Sequence, residues 1–275
     1  MCATLLAEGG EVAVESPTYE PFIRVLQTLS NKTPIFINRK IENNYRLSPD
    51  MFSNTPLKLF LCSNPHNPTG IIDDDDTLLE IADFMDKNDG YLVIDEIFLP
   101  FKEGGERKTL ALKHPRIICT TSLTKAYGLS CLRMGWAMGD AEVIRKVELL
   151  MDNLHVVQPF ITEFIALEIM NNGVANHWLN FARNRASTNW KIVQRIMRNI
   201  PQVNFIAPEA GITFWVKLMN GMAGFQVMES LLEKHKTLVV PGEFFGHSDH
   251  IRVGFGTDSV SLETGLEGLK DILCN

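Results

Sequence analysis

The sequence predicts an α/β chain, with a mostly parallel sheet covered by helices on both faces and a smaller C-terminal α+β unit. Three observations predict it. Through the first half, apolar and β-branched runs alternate with segments of helical length. Those runs are nearly continuous in hydrophobicity, the pattern of strands buried on both faces. Beyond about residue 185 the pattern shifts to a long helix and shorter strands, so the expected division is 1–185 and 186–275.

The elements follow in order. Glu11–Glu15 (EVAVE) reads as a strand, and Tyr19–Leu29 as a helix after a proline turn. Pro34–Asn38 and Lys58–Cys62 are further strands, the latter ending at an Asn/Pro-rich turn. Thr77–Lys87 carries Leu78, Leu79, Ile81, Ala82 and Met85 at helical spacing. The acidic run Asp73–Asp76 before it reads as a helix start, where carboxylates cap free amides and suit the dipole. Four consecutive aspartates point in different directions and make a poor metal site. Tyr91–Phe98, Arg116–Thr121 and Arg133–Met138 are strands, and Ala141–Met151 a helix. The second half predicts helices at Pro159–Met170, Ala175–Asn199, Gly224–Lys234 and Ser261–Cys274. Its strands are Thr213–Leu218, Thr237–Val240 and Ile251–Phe255.

Composition narrows the function classes. The chain of 275 residues is 45% hydrophobic and 21% charged, an ordinary globular balance. Its net charge of −7 argues against an electrostatic nucleic-acid binder. Cys2, Cys62, Cys119, Cys131 and Cys274 are scattered and form no C-x-x-C pair, which suggests neither a disulfide framework nor a zinc site. There is no signal-peptide pattern and no apolar run long enough for a membrane span, so a cytoplasmic protein with no membrane partner is expected. His247 and His250 share a loop where no metal is expected, and His66, inside the Asn-Pro turn, is expected to line the pocket.

Chemistry is expected at three strand ends, the edge where open α/β sheets bind ligands. The first is Ser63-Asn64-Pro65-His66-Asn67-Pro68-Thr69-Gly70, which alone reads as turn chemistry. The second is Val93-Ile94-Asp95-Glu96, whose buried carboxylate needs a cation or a donor. The third is Ser122-Leu123-Thr124-Lys125, leading through a glycine-containing loop to Arg133.

In order and spacing these segments, with the strand Ile251-Arg252-Val253-Gly254-Phe255, resemble the aspartate-aminotransferase superfamily. These are the class I/II aminotransferases, fold-type I enzymes that use pyridoxal 5'-phosphate (PLP). The resemblance runs from about Glu11 to the end. It implies that Lys125 is the Schiff-base lysine and proton shuttle, and that Asp95 pairs with the pyridine nitrogen. Asn67 would donate to the cofactor's phenolic oxygen, Ser122 and Arg133 would hold its phosphate, and Tyr19 would stack on its ring. Arg252 would grip the substrate α-carboxylate, with Asn67 beside it. The implied activity transfers an amino group from an amino acid to a 2-oxo acid in amino-acid metabolism or biosynthesis, by a homodimer. Alternatives are a PLP-dependent decarboxylase or β-lyase of the same fold, a non-catalytic PLP-binding module, and an inactive fragment.

Two departures stand out. Phe98 occupies the place where many relatives carry a tyrosine donor to the phenolic oxygen. Met1 aligns within the helix that in the family follows a glycine-rich phosphate loop. An N-terminally incomplete chain is therefore expected, with weak PLP retention and poor activity.

Overall fold

The computed structural model describes residues 1–52, 55–102, 109–155 and 159–274. The first stretch gives helix α1 (Cys2–Leu5), strand β1 (Val12–Ser16), helix α2 (Glu20–Ser30) and strand β2 (Ile35–Asn38). Then come β3 (Leu59–Ser63), α3 (Asp75–Lys87), β4 (Tyr91–Asp95), β5 (Ile117–Ser122) and β6 (Gly135–Met138). Helices α4 (Ala141–His155), α5 (Phe160–Asn171) and α6 (Val174–Met197) lead to β7 (Val203–Phe205) and β8 (Thr213–Leu218). The chain ends with α7 (Gly224–His235), β9 (Val240–Pro241), β10 (His250–Gly254) and α8 (Ser259–Cys274).

The first sheet has the order β2-β1-β3-β4-β5-β6, parallel except for the β5–β6 pair. That pair is antiparallel because the connection through 123–134 contains no crossover helix to carry the chain back. Alternate residues of each central strand feed opposite cores. Ala13, Phe60, Cys62, Leu92, Ile94, Ile117 and Cys119 pack on the α3 side with Leu78, Ile81, Ala82 and Met85. Val12, Val14, Leu59, Leu61, Val93 and Ile118 pack on the other side with Leu26 and Val143. Burial on both faces is why these strands read as unbroken apolar runs.

The second sheet is antiparallel, with the order β7-β8-β10-β9. Phe214, Val216 and Leu218 of β8 join Ile251 and Val253 of β10, Val193 and Ile196 of α6, and Leu262, Leu266 and Leu269 of α8 in its core. The opposite face of the sheet carries Trp215 and Lys217 of β8 beside Arg252 and His250, their register partners on β10. That face turns toward the first half, where Trp215 and Phe245 pack with Tyr45 and Ile71.

Three expectations need correcting. The expected strand Tyr91–Phe98 stops at Asp95, because the Asp95 side chain accepts the Ile97 amide at 3.0 Å and turns the backbone. The strand expected over Thr237–Val240 shrinks to Val240–Pro241: Lys236 is left-handed at the end of α7, and residues 237–239 are spent leaving the helix. Within the acidic run, Asp74 does cap α3 by accepting the Thr77 amide at 2.8 Å. Asp73, however, is buried and paired with Arg39.

Candidate active site

The carboxyl ends of β1, β3, β4 and β5 lie side by side and set the site. After β3, the Asn-Pro turn is fixed from beneath. The Ser63 hydroxyl accepts the Asn67 amide at 2.9 Å and donates to Glu15 of β1 at 2.7 Å. Glu15 also accepts the Ser63 amide at 2.7 Å and pairs with Arg39, whose other donors reach Asp73 at 2.8 and 3.0 Å and the Tyr45 carbonyl at 2.8 Å. Asn64 closes the loop on itself by exchanging hydrogen bonds with the Asp73 backbone at 3.0 and 3.3 Å. Glu15, Arg39 and Asp73 are all fully enclosed, so each carboxylate depends on this one guanidinium. Charged residues at the ends of apolar strands, Glu15 and Arg39, were the available signal for this network. Neither was read as functional.

His66 does not line the pocket. It is buried, with Nε2 on the Pro17 carbonyl at 2.8 Å and Nδ1 on the Thr69 hydroxyl at 2.7 Å. The carbonyl can only accept, so Nε2 carries the hydrogen and Nδ1 accepts from Thr69. Burial holds this imidazole well below its usual range, and the nearby Arg39 charge adds to the effect. Neutral His66 thereby locks the 63–70 turn to the segment that presents Tyr19. Gly70 completes the turn at φ +75°, and its carbonyl accepts the Glu209 and Ala210 amides at 2.9 and 3.0 Å. A β-carbon there would stand 2.5 Å from Pro208, so glycine is needed for this close approach.

Asn67 and Arg252, separated by 185 positions, meet directly: Arg252 Nη1 donates to Asn67 Oδ1 at 2.9 Å. With its oxygen so held, the Asn67 amide nitrogen is left to donate elsewhere. Arg252 also lies over the Phe245 ring at 5.1 Å, and has no carboxylate partner among the described residues. Burial pulls its guanidinium below the usual range, and the neighbouring Tyr19 phenol opposes that shift. Tyr19 caps the start of α2, is 44% exposed and meets Phe22 edge-on at 5.6 Å.

Asp95, at the end of β4, accepts the Ile97 amide, and no cation among the described residues is bonded to it. Burial pushes its carboxyl up to about 6; the Ile97 amide pulls it down, Glu96 pushes it further up, and the charge of Lys125 lowers it. After β5, Ser122 bonds Thr124 by hydroxyl and by amide at 2.7 and 3.2 Å, and buried Ala126 anchors the loop. Lys125 and Arg133 are exposed, and among the described residues neither side chain forms a hydrogen bond or ion pair. Arg133 is held at φ +53°, a conformation that costs a side-chain-bearing residue about 1 kcal/mol. A cleft of about 260 Å³ lies beside Lys125, lined also by Phe101, Tyr127, Trp178, Phe181 and Ile212. The fold thus joins Asn67 to Arg252 beside Tyr19, and sets Lys125 near Asp95. Ser122 and Arg133 flank the lysine loop without touching each other.

Phe98 is buried among Ile72, Phe101, Ala126, Leu179 and Ala210, its ring 3.6 Å from where a Gly211 β-carbon would stand. It packs the junction between the two halves of the chain.

This donor set fits PLP: among the described residues it offers a desolvated acid with no cation bonded to it, a lysine and an arginine with no ion-pair partner, and an amide already oriented. A mostly parallel sheet with that set at its carboxyl edge defines a fold-type I PLP-dependent enzyme. The chain belongs to the family Aminotransferase class I and II, which it matches over residues 1–269. It is 22% identical over 280 residues to an aspartate aminotransferase of Bacillus subtilis, covering 97% of this chain and 70% of that one. A probable aspartate/prephenate aminotransferase of Rickettsia bellii is 26% identical over 284 residues, covering 94% of this chain and 69% of that one. Among solved structures, the aspartate aminotransferase from Thermus thermophilus with maleate superposes with a TM-score of 0.89 at 22% identity, covering 99% of this chain and 73% of that one.

Proposed function

We propose that this chain transfers an amino group from an amino acid to a 2-oxo acid, with Lys125 as its central residue. The observation that carries the reading is the Arg252–Asn67 hydrogen bond at 2.9 Å, which sets a carboxylate-binding cation against the amide nearest the cofactor position. Asp95, Asn67, Ser122, Arg133 and the Tyr19 ring would hold PLP, and Lys125 would anchor it. When bound, PLP supplies an electron sink for the carbanion left on the substrate Cα.

The chain's own groups do the rest. Arg252 has donors left over after Asn67, and a planar guanidinium binds a carboxylate through two of them. With the substrate held there, Lys125 would be the base that takes the Cα proton. Asp95 would pair with the cofactor's pyridine nitrogen, and that positive charge would bring its carboxyl down from the raised value that burial imposes.

Three coarser readings go with this one. The division at 185/186 falls inside α6, which runs unbroken from Val174 to Met197. A homodimer is supported by the apolar side chains of α5 and α6, where Phe160 is 74% and Ile161 62% exposed beside Phe164, Leu167, Trp178 and Phe181. A cytoplasmic role in amino-acid metabolism accords with five unpaired thiols; no helix among the described residues is long and apolar enough to cross a membrane.

The test is the visible spectrum of the purified chain after PLP addition and gel filtration, with Lys125→Ala alongside. We expect a retained band in wild type that Lys125→Ala lacks, and loss of that band when a substrate amino acid is added, with the matching 2-oxo acid formed. Carbon dioxide with the matching amine would assign a decarboxylase, and free ammonia with pyruvate would assign a β-lyase. A band equal in both proteins would remove Lys125 from the site.

A further inference from the structure

The loop that precedes Arg252 gathers three groups the aminotransfer reading does not use. His247, Asp249 and His250 each present one possible ligand atom, all within 4.8 Å of one another. We propose that these three residues form a binding site for a divalent transition metal of the zinc class, at the seam between the loop before β10 and the end of β1. Nothing of this was visible as two histidines in one loop; the fold adds what surrounds them.

Both imidazoles are oriented from behind by residues of the first half of the chain. His250 Nε2 lies 3.4 Å from the Tyr45 hydroxyl, and its ring stacks on Trp215 at 4.9 Å and 11°. His247 Nε2 lies 3.4 Å from the Ser16 hydroxyl, and its ring meets that of His250 edge-on at 5.6 Å. A metal-ligating histidine characteristically has its other nitrogen held by such a partner, which fixes the ring and the tautomer. Asp249 already hydrogen-bonds His250 Nδ1 at 2.7 Å, and an ion that displaced the intervening proton would move the two ligand atoms apart by roughly 0.7 Å.

Two nitrogens and one carboxylate oxygen suit zinc, nickel or copper rather than magnesium or calcium, which take oxygen ligands. Tetrahedral ligands at about 2.1 Å stand roughly 3.4 Å apart, so exposed Asp249 and half-buried His247 must draw in by about 1 Å, with water as the fourth ligand. The facing charge is Lys217 of β8, whose Nζ lies 3.8 Å from Asp249 Oδ2 and competes with the metal.

The probe is Co²⁺, titrated into the chelator-treated chain and followed by visible absorption, with Zn²⁺ as competitor. We expect one ion per chain, weak visible bands without near-ultraviolet thiolate absorption, and displacement by Zn²⁺. The pair His247→Ala and Asp249→Asn lies outside the cores and should abolish binding with an unchanged circular dichroism spectrum. Lys217→Gln should tighten binding several-fold. No saturable binding, a thiolate band from the free cysteines, or binding retained in the double variant would each overturn the site.

Discussion

The two sides of the site are built on opposite principles. Beneath Asn67, every polar group is answered within the chain: Glu15, Arg39, Asp73, Ser63 and Asn64 bond one another, and the three charged groups are out of contact with water. Around Lys125, almost nothing is answered. Lys125 and Arg133 are exposed, and Asp95 is half-buried with a backbone amide as its one hydrogen-bond partner among the described residues. The first side spends charge on holding a loop in one shape. The second keeps charge unspent, which is the condition for a dianionic ligand to be gained rather than exchanged. A polar group's degree of internal satisfaction thus separates scaffold from binding surface better than its charge does.

Replacing Arg39 by Met should break the satisfied side outright. It strands Glu15 and Asp73 without a cation, and losing one partner of a buried ion pair costs about 3–5 kcal/mol. Chemical denaturation should show that loss; a change under 1 kcal/mol would mean water reaches the network and would erase the contrast. Asp95 gives a smaller effect of defined sign. Its folded-state value, about 6, lies above the ordinary 3.8, so the folded chain holds its proton more tightly than the unfolded one. Stability should therefore be highest below about pH 4 as far as this group is concerned, and fall as pH rises toward 6, by on the order of 2 kcal/mol. Asp95→Asn should remove that slope from the ligand-free chain; an unchanged slope would assign it to other groups. Arg133→Ala should have the smallest effect on stability, within about 0.5 kcal/mol, because nothing in the fold depends on its side chain. Its PLP affinity, measured by equilibrium dialysis, should nonetheless drop by ten-fold or more, since a charge-assisted contact is worth about 1.5–3 kcal/mol.

Most of the scaffold was legible because it rests on local pattern. The strands from Val12 to Ser122 announce themselves by continuous hydrophobicity, and α3 by Leu78, Ile81, Ala82 and Met85 at helical spacing. Boundaries were lost where a side chain decided them, as at Asp95, or where a helix exit consumed residues, as at 236–239. The site motifs could be read as one constellation only through their resemblance to a family, since each alone is a turn, a buried acid or a surface lysine. What stayed hidden was long-range. Nothing local in Arg39 or Asp73 says that they lie 2.8 Å apart across 34 positions, and nothing local in His66 says that it reaches Pro17.

Helix α6 has a mechanical meaning. Its 24 residues make a rod about 36 Å long. Leu179 near one end is packed at the junction with Phe98 and Ala126, while Val193, Ile196 and Met197 at the other end are keyed into the second core. A rod clamped at both ends behaves as a lever arm. For the second sheet to tilt against the first, the rod would have to flex or turn about the Phe98 cluster, and the Arg252–Asn67 hydrogen bond would have to break.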